Sequence, residues 1–169
     1  MTNDLSENTG PSTSTSYRPH WDQVWMTVAH TIAQRSKCSR AAVGCVLVDD
    51  DQNVLAASYN GPPPRYDKAE GKCIHWCPRA QGVGELSNDY SNCPSNHAEI
   101  NALSRMTGVG RPVTAYITRL CCSSCAKALA SAKLSRIVCQ STDIDTHLNA
   151  NNIADLLWDS GVELDWIID

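Results

Sequence analysis

One pair of stretches limits what this chain can fold into more than any other. It is His97-Ala98-Glu99-Ile100-Asn101-Ala102 and, further along, Cys122-Ser123-Ser124-Cys125. One imidazole and two thiolates are three ligands for a zinc ion whose fourth position stays open to water, as in catalytic zinc sites. Residues two apart on a helix point to nearly opposite flanks, so His97 and Glu99 converge on one ion only from a first turn. The metal therefore belongs off a helix N-terminus. The run from Cys122 to Ala130 also reads as the start of a helix, with Cys122 and Cys125 in its opening turn. Two helix N-termini then aim partial positive charge at the thiolates and favour the deprotonated form that ligation requires. Glu99 is left as a non-ligand carboxylate beside the open position, placed to move protons. The same residues used as a structural zinc would need a fourth protein ligand, and structural sites usually carry Cys-x-x-Cys knuckles on both sides.

The rest of the chain predicts an α/β fold. Residues 1–19 are rich in Ser, Thr and Asn with almost no large apolar residue, a composition that cannot offset the entropy of ordering, and a disordered tail is expected there. With 169 residues and 42% hydrophobic content the chain suits one core, assigned to a single domain over 20–169. Trp21, Val24, Trp25, Val28 and Ile32 recur at helical spacing, which predicts a docking helix ending near Ser36-Lys37-Cys38, with Trp21 and Trp25 as core anchors. Ala42–Val48 and Val54–Ser58 read as a hairpin whose aspartates, Asp49 to Asp51, form a solvated turn. Val113–Thr118, Arg136–Gln140 and Val162–Ile167 read as three further strands, and Asn151–Ser160 as a helix stopped by Gly161. Strands alternating with helices imply right-handed parallel crossovers, and the hairpin adds an antiparallel pair. The expected architecture is a three-layer α-β-α arrangement around a mixed five-stranded sheet. Both ligand-bearing helix N-termini then lie at the carboxyl ends of strands, where open sheets bind ligands.

Charge and cysteine usage narrow the partners. A formal net charge of −4 without any Lys or Arg run makes a polynucleotide a poor electrostatic partner, whereas a free nucleotide needs only one or two cations. Nine cysteines, with no signal peptide and no long apolar span, point to metal ligation in a reducing compartment, hence a cytoplasmic protein with no membrane association. The loop-like segment from Gly61 to Asn96 is long enough to be functional or braced. It carries Cys73, Cys77 and Cys93, which with Cys38 make four thiolates able to close a tetrahedral structural zinc, His75 being a reserve ligand. Ordinary reduced cysteines are the alternative.

His-x-Glu followed by Cys-x-x-Cys is the described signature of zinc nucleobase deaminases. Over about residues 20–168 the chain resembles the deoxycytidylate deaminase branch of the cytidine deaminase superfamily, on Arg35-Ser36-Lys37-Cys38-Ser39-Arg40, Ser58-Tyr59-Asn60-Gly61, His97–Ala102 and Cys122–Lys127. The resemblance implies a cytidine deaminase-like fold and zinc-dependent hydrolysis of dCMP to dUMP and ammonia. It implies a catalytic Zn2+ on His97, Cys122 and Cys125 with Glu99 as acid and base, and a second, structural Zn2+ on Cys38 and cysteines of the insertion. It further implies substrate contacts by Ser36, Arg40 and Asn60, and a homo-oligomer, up to a hexamer. For Asn60 a turn role before Gly61, and for Arg40 a solvated surface cation, remain open.

Two positions depart from the family pattern. Cys121 stands where a proline usually precedes the first cysteine, so Cys121-Cys122 offers two candidate ligands and spacing selects Cys122. Ser58 stands where family members usually have Gly, within a motif associated with deoxynucleotide triphosphate regulation. Within the same chemistry a modified cytosine nucleotide, dCTP or cytidine is also admissible. Outside it stand a zinc-stabilised binding module without turnover and a polynucleotide editor, the latter disfavoured by charge.

Overall fold

The computed structural model describes residues 18–66, 70–82, 92–106, 110–140 and 150–167. The tail expected at 1–19 falls, through residue 17, outside them. Helix α1 (Trp21–Ala33) is followed by β1 (Gly44–Val48), β2 (Val54–Tyr59) and a 3-10 turn at Cys73–His75. Then come α2 (Ala98–Arg105), β3 (Thr114–Ile117), α3 (Ser123–Ser131), β4 (Arg136–Gln140), α4 (Ala150–Asp159) and β5 (Glu163–Ile167). The strands form one sheet in the order β2-β1-β3-β4-β5. β1 is antiparallel to both neighbours, and β3, β4 and β5 run parallel. The sheet is mixed and five-stranded, as the sequence predicts.

Strand alternation sorts the core into two layers. Cys45, Leu47, Ala115, Ile117, Ile137 and Cys139 face one side, where they meet α2, α3 and α4 through residues such as Ala102, Leu129 and Leu157. Val46, Val48, Tyr116 and Val138 face the other side and meet α1 through Met26 and Ala29. Covered on both faces, β1 is buried along its whole length.

Helix α1 corrects the sequence reading. It ends at Ala33, short of Ser36, and its buried residues are Met26, Ala29 and Ala33 instead of the tryptophans. The cause lies in Gly44: a Cβ there would stand 2.0 Å from the carbonyl oxygen of Ala29. The helix backbone presses directly onto β1 at Ala29, where only a small side chain fits, and Met26 packs beside that contact. Trp21 and Trp25 stack on each other with ring centroids 5.4 Å apart; Trp25 is half-buried against this core layer, while Trp21 stays 44% exposed.

The hairpin turn is closed by Asp49, whose carboxylate accepts the N–H groups of Asp51 and Asn53 at 3.0 and 2.8 Å. The long insertion is pinched at its neck by a two-way bridge, Gly61 N–H to Asn96 O at 3.1 Å and Asn96 N–H to Gly61 O at 3.0 Å. Among the described residues no helix is long and apolar enough to cross a membrane.

Candidate metal centre and its cavity

The two helices that follow β2 and β3 begin at ligand-type residues. His97 is the N-cap of α2 and Cys122 the N-cap of α3; both have extended backbone, and neither side chain caps its own helix. An uncapping side chain at that position projects past the helix end. His97 Nδ1 lies 3.5 Å from Cys122 Sγ and 3.4 Å from Cys125 Sγ. A zinc ion with ordinary Zn–N and Zn–S bonds at tetrahedral angles would separate such ligand atoms by about 3.6 Å. The donor set and its spacing therefore fit Zn2+. Among the described residues this is the group of three or more ligand-type side chains gathered within 4.8 Å of one another.

The electrostatics suit ligation. Hydrogen bonds from Cys125 and then His97 pull the Cys122 thiol down to about 3, so one thiolate forms readily. The Cys125 thiol is pushed up, because it donates to that thiolate and is buried. The thiolate at Cys122 raises the His97 imidazole by hydrogen bonding. Glu99 sits in the second position of α2, 3% exposed, and burial raises its carboxyl above the usual range. A carboxyl so shifted is nearer in proton affinity to the groups it must serve.

Glu99, His97 and Cys122 line one cavity of about 600 Å³. Two of the three expected substrate residues, Arg40 and Asn60, line it too. Arg40 is exposed. The Asn60 amide is engaged with the backbone before β1: Oδ1 accepts from Val43 N–H at 2.9 Å and Nδ2 donates to Ala41 O at 2.9 Å. That leaves one amide hydrogen and one lone pair. Ser36 is not in the lining; it is 5% exposed, donates to Asn60 O at 3.0 Å and accepts from Cys38 N–H at 3.2 Å. It braces Asn60 from behind.

The insertion cysteines cluster nearby. Cys73 and Cys77 are buried with Trp76, and Cys38 and Cys93 pack against them. Cys77 Sγ donates to Cys93 Sγ at 3.7 Å, and Ser39 N–H donates to Cys73 Sγ at 3.1 Å. The four sulfurs share one cluster but do not form a group within 4.8 Å, unlike His97, Cys122 and Cys125. His75 is exposed, and Cys121 is 1% exposed in the core beside Cys45 and Cys139. Ser58 is fully buried and accepts a hydrogen bond from Arg105 Nη1 at 3.2 Å.

Three residues escaped the sequence reading. Asn101, 3% exposed, donates from Nδ2 to Tyr59 O at 2.9 Å and Gly61 O at 3.1 Å, tying α2 to the end of β2. Its signal was its place four residues after His97, on the same helix face. Arg79 and Arg119 also line the cavity. Arg119 adjoins the Cys121-Cys122 motif, whereas nothing in the local sequence marks Arg79 except its nearness to Cys77.

Comparison with known proteins agrees with this geometry. Residues 19–141 match the family described as "Cytidine and deoxycytidylate deaminase zinc-binding region". The chain is 36% identical over 129 residues to the deoxycytidylate deaminase of Mycobacterium phage D29, covering 72% of this chain and 94% of that protein. It is 32% identical over 150 residues to the deoxycytidylate deaminase of Schizosaccharomyces pombe, covering 88% of this chain but 44% of the yeast protein. Its fold is similar to a dCMP deaminase of cyanophage S-TIM5 solved with dCMP and dUMP. There the TM-score is 0.66 and the identity 24%, over 89% of this chain and 99% of that one.

Proposed function

Since the chain belongs to the cytidine and deoxycytidylate deaminase family through residues 19–141, we propose that it carries out hydrolytic deamination of dCMP, dCMP plus water giving dUMP plus ammonia. Relatives named as deoxycytidylate deaminases support the substrate. The observation that carries the chemistry is the convergence of His97, Cys122 and Cys125 beside a buried Glu99 on one nucleotide-sized cavity.

His97, Cys122 and Cys125 hold Zn2+. Bound there, the ion would lower the pKa of a water molecule to about 7, supplying a nucleophile at neutral pH. Glu99 does the proton work: its carboxylate takes one proton from the attacking water and gives it to ring N3 as the C4–O bond forms, then takes the second from the resulting C4 hydroxyl and gives it to the amine as the C4–N bond breaks, leaving ammonia and the C4 carbonyl. Burial at the Glu99 carboxyl excludes bulk solvent from that transfer. Arg40 and the unspent hydrogen-bonding capacity of Asn60 orient the nucleotide.

The same reading extends to a second, structural Zn2+ on Cys38, Cys73, Cys77 and Cys93, supported by their shared cluster. It puts the domain at 20–169 and the protein in the reducing cytoplasm, where nine cysteines outside any disulfide persist. It also includes a homo-oligomer, up to a hexamer, supported by exposed apolar rings such as Trp158 at 82%.

The test is a substrate panel. Zinc-loaded protein is given dCMP, dCTP, cytidine and a cytosine-containing single-stranded oligonucleotide, and loss of cytosine absorbance is followed. Turnover of dCMP above the others is expected. Activity on none of them, with zinc bound, would leave a zinc-stabilised binding module.

A further inference from the structure

We propose that Cys77 and Cys93 are a redox pair: a peroxide joins them in a disulfide on the wall of the cavity, and a dithiol reductant opens it again. The inference goes beyond the deamination reading, and it does not depend on the second zinc assigned to the same thiols.

Cys77 Sγ donates a hydrogen bond to Cys93 Sγ at 3.7 Å, so two sulfurs sixteen residues apart in the chain already touch. Each is held from its own side. Cys77 N–H is bonded to Cys73 O at 2.7 Å and Cys73 N–H to Lys37 O at 2.8 Å, which ties the first sulfur to the segment after α1. Cys93 lies three residues before Asn96, whose backbone is paired both ways with Gly61. Two anchored segments therefore present the thiols to each other. Cys77 is 2% exposed, yet both residues line the cavity, which reaches solvent at the exposed Arg40. Cys93 is half-buried and is the sulfur that a small oxidant meets first.

Other thiols are placed differently. Cys45 and Cys139 are fully buried and Cys121 is 1% exposed, all three in the core under the sheet. Cys73 Sγ accepts from Ser39 N–H at 3.1 Å, with Ser39 Oγ 3.2 Å away. The step at Cys77 and Cys93 balances with one peroxide. The Cys93 sulfur, having given up its proton, attacks a peroxide oxygen and the O–O bond breaks, leaving a sulfenic acid and a hydroxide that takes that proton as water. The Cys77 sulfur then attacks the Cys93 sulfur, the S–O bond breaks, and the departing hydroxide takes the Cys77 proton as a second water. Each sulfur gives up one electron and the peroxide takes both. Burial holds the Cys93 thiol above its ordinary value, so the closure runs over hours instead of seconds.

The experiment treats the full zinc-loaded chain with hydrogen peroxide, alkylates the thiols that remain, and maps peptides by mass without reduction. Peroxide should join the Cys77 peptide to the Cys93 peptide, with both thiols lost to alkylation and regained on adding dithiothreitol. Cys93→Ser should give no joined peptide and leave Cys77 open to alkylation. Cys93 carried to the sulfinic acid with Cys77 still free, or Cys77 joined to a different sulfur, overturns the proposal. A second measurement keeps the wild type and uses oxidised glutathione. The joined peptide should exceed the glutathione adduct at Cys93 about 10-fold, because Cys77 lies in place to displace glutathione. An adduct that persists at Cys93 overturns the pairing. Zinc content is followed alongside: a second ion, where bound, should leave as the disulfide forms, and a chain holding one ion should form the disulfide just the same. Failure of the second-zinc assignment and failure of this pair therefore give different results.

Discussion

Arg136 grips Asp22 with both arms of its guanidinium, Nη1 to Oδ1 at 2.8 Å and Nη2 to Oδ2 at 2.9 Å. Its Nε donates to Asp165 Oδ2 at 2.7 Å, and the Tyr116 hydroxyl donates to Asp22 Oδ1 at 2.7 Å. One carboxylate in the first turn of α1 thus joins residues of β3 and β4, and Arg136 extends the network to β5. It fixes the helix that lies across the face opposite the metal centre.

Acid stability should report this network. Hydrogen bonding to Arg136 holds the Asp22 carboxyl below its ordinary value of 3.8. A lowered folded pKa contributes stability that is present above the ordinary value and lost as pH falls through the folded one. Asp22→Asn should cost about 1–3 kcal/mol at pH 7. Melting curves of wild type and variant should draw together below about pH 4.

Glu99→Gln separates metal binding from chemistry. The variant should keep its zinc, measured by elemental analysis, while kcat falls about 10²- to 10⁴-fold. Burial raises the folded pKa of Glu99 above 4.5, so its contribution favours folding at low pH and is lost as pH rises through the folded value. Metal-stripped Glu99→Gln should therefore melt above metal-stripped wild type at pH 7, with the gap shrinking towards pH 4.

Chelation should abolish turnover and added Zn2+ restore it. Cys122→Ser should lose the metal, because Cys122 Sγ lies 3.5 Å from His97 Nδ1. Cys121→Ser should retain it, its side chain being buried in the core. Equal zinc loss in both would reassign the ligand.

Cys93→Ser tests the insertion. With a second zinc in place, metal content should drop from two ions to one per chain, and the melting temperature should fall while the catalytic ion remains. An unchanged metal count and melting temperature would leave the four thiols as ordinary core residues.

Asn101→Ala should raise KM as well as lower stability. It removes donors from two carbonyls, Tyr59 O and Gly61 O, at the cavity edge. Gly61 O keeps the N–H of Asn96, so the penalty falls on Tyr59 O, and a buried carbonyl left unpaired costs about 1–3 kcal/mol. Asn101→Asp should fail likewise, since a carboxylate cannot donate; normal KM in either variant would remove Asn101 from substrate positioning.

The sheet was legible because strand signals are local. Arg136–Gln140 appears residue for residue as the sequence predicts, and Gly161 stops α4 with a positive φ of 71°. The face of α1 was not legible. Helical spacing marked Trp21 and Trp25 as apolar, but which stripe is buried depends on Gly44, which lets the backbone of Ala29 reach β1. Ser36 shows the same limit: its motif suggested a ligand, while its hydroxyl is consumed by Asn60 O and Cys38 N–H.

By itself the sequence determined the donor chemistry: an imidazole, two thiolates and a carboxylate set at helix starts, because residue type and short spacing fix which atoms can be offered and in which direction. The tertiary structure alone decided what those atoms face. It set β3 beside β1, brought two helix N-termini within one ion's reach, and folded a distant insertion so that Arg79 entered the cavity. Those are contacts between residues far apart in the chain, and they follow from packing and charge burial that no local pattern encodes.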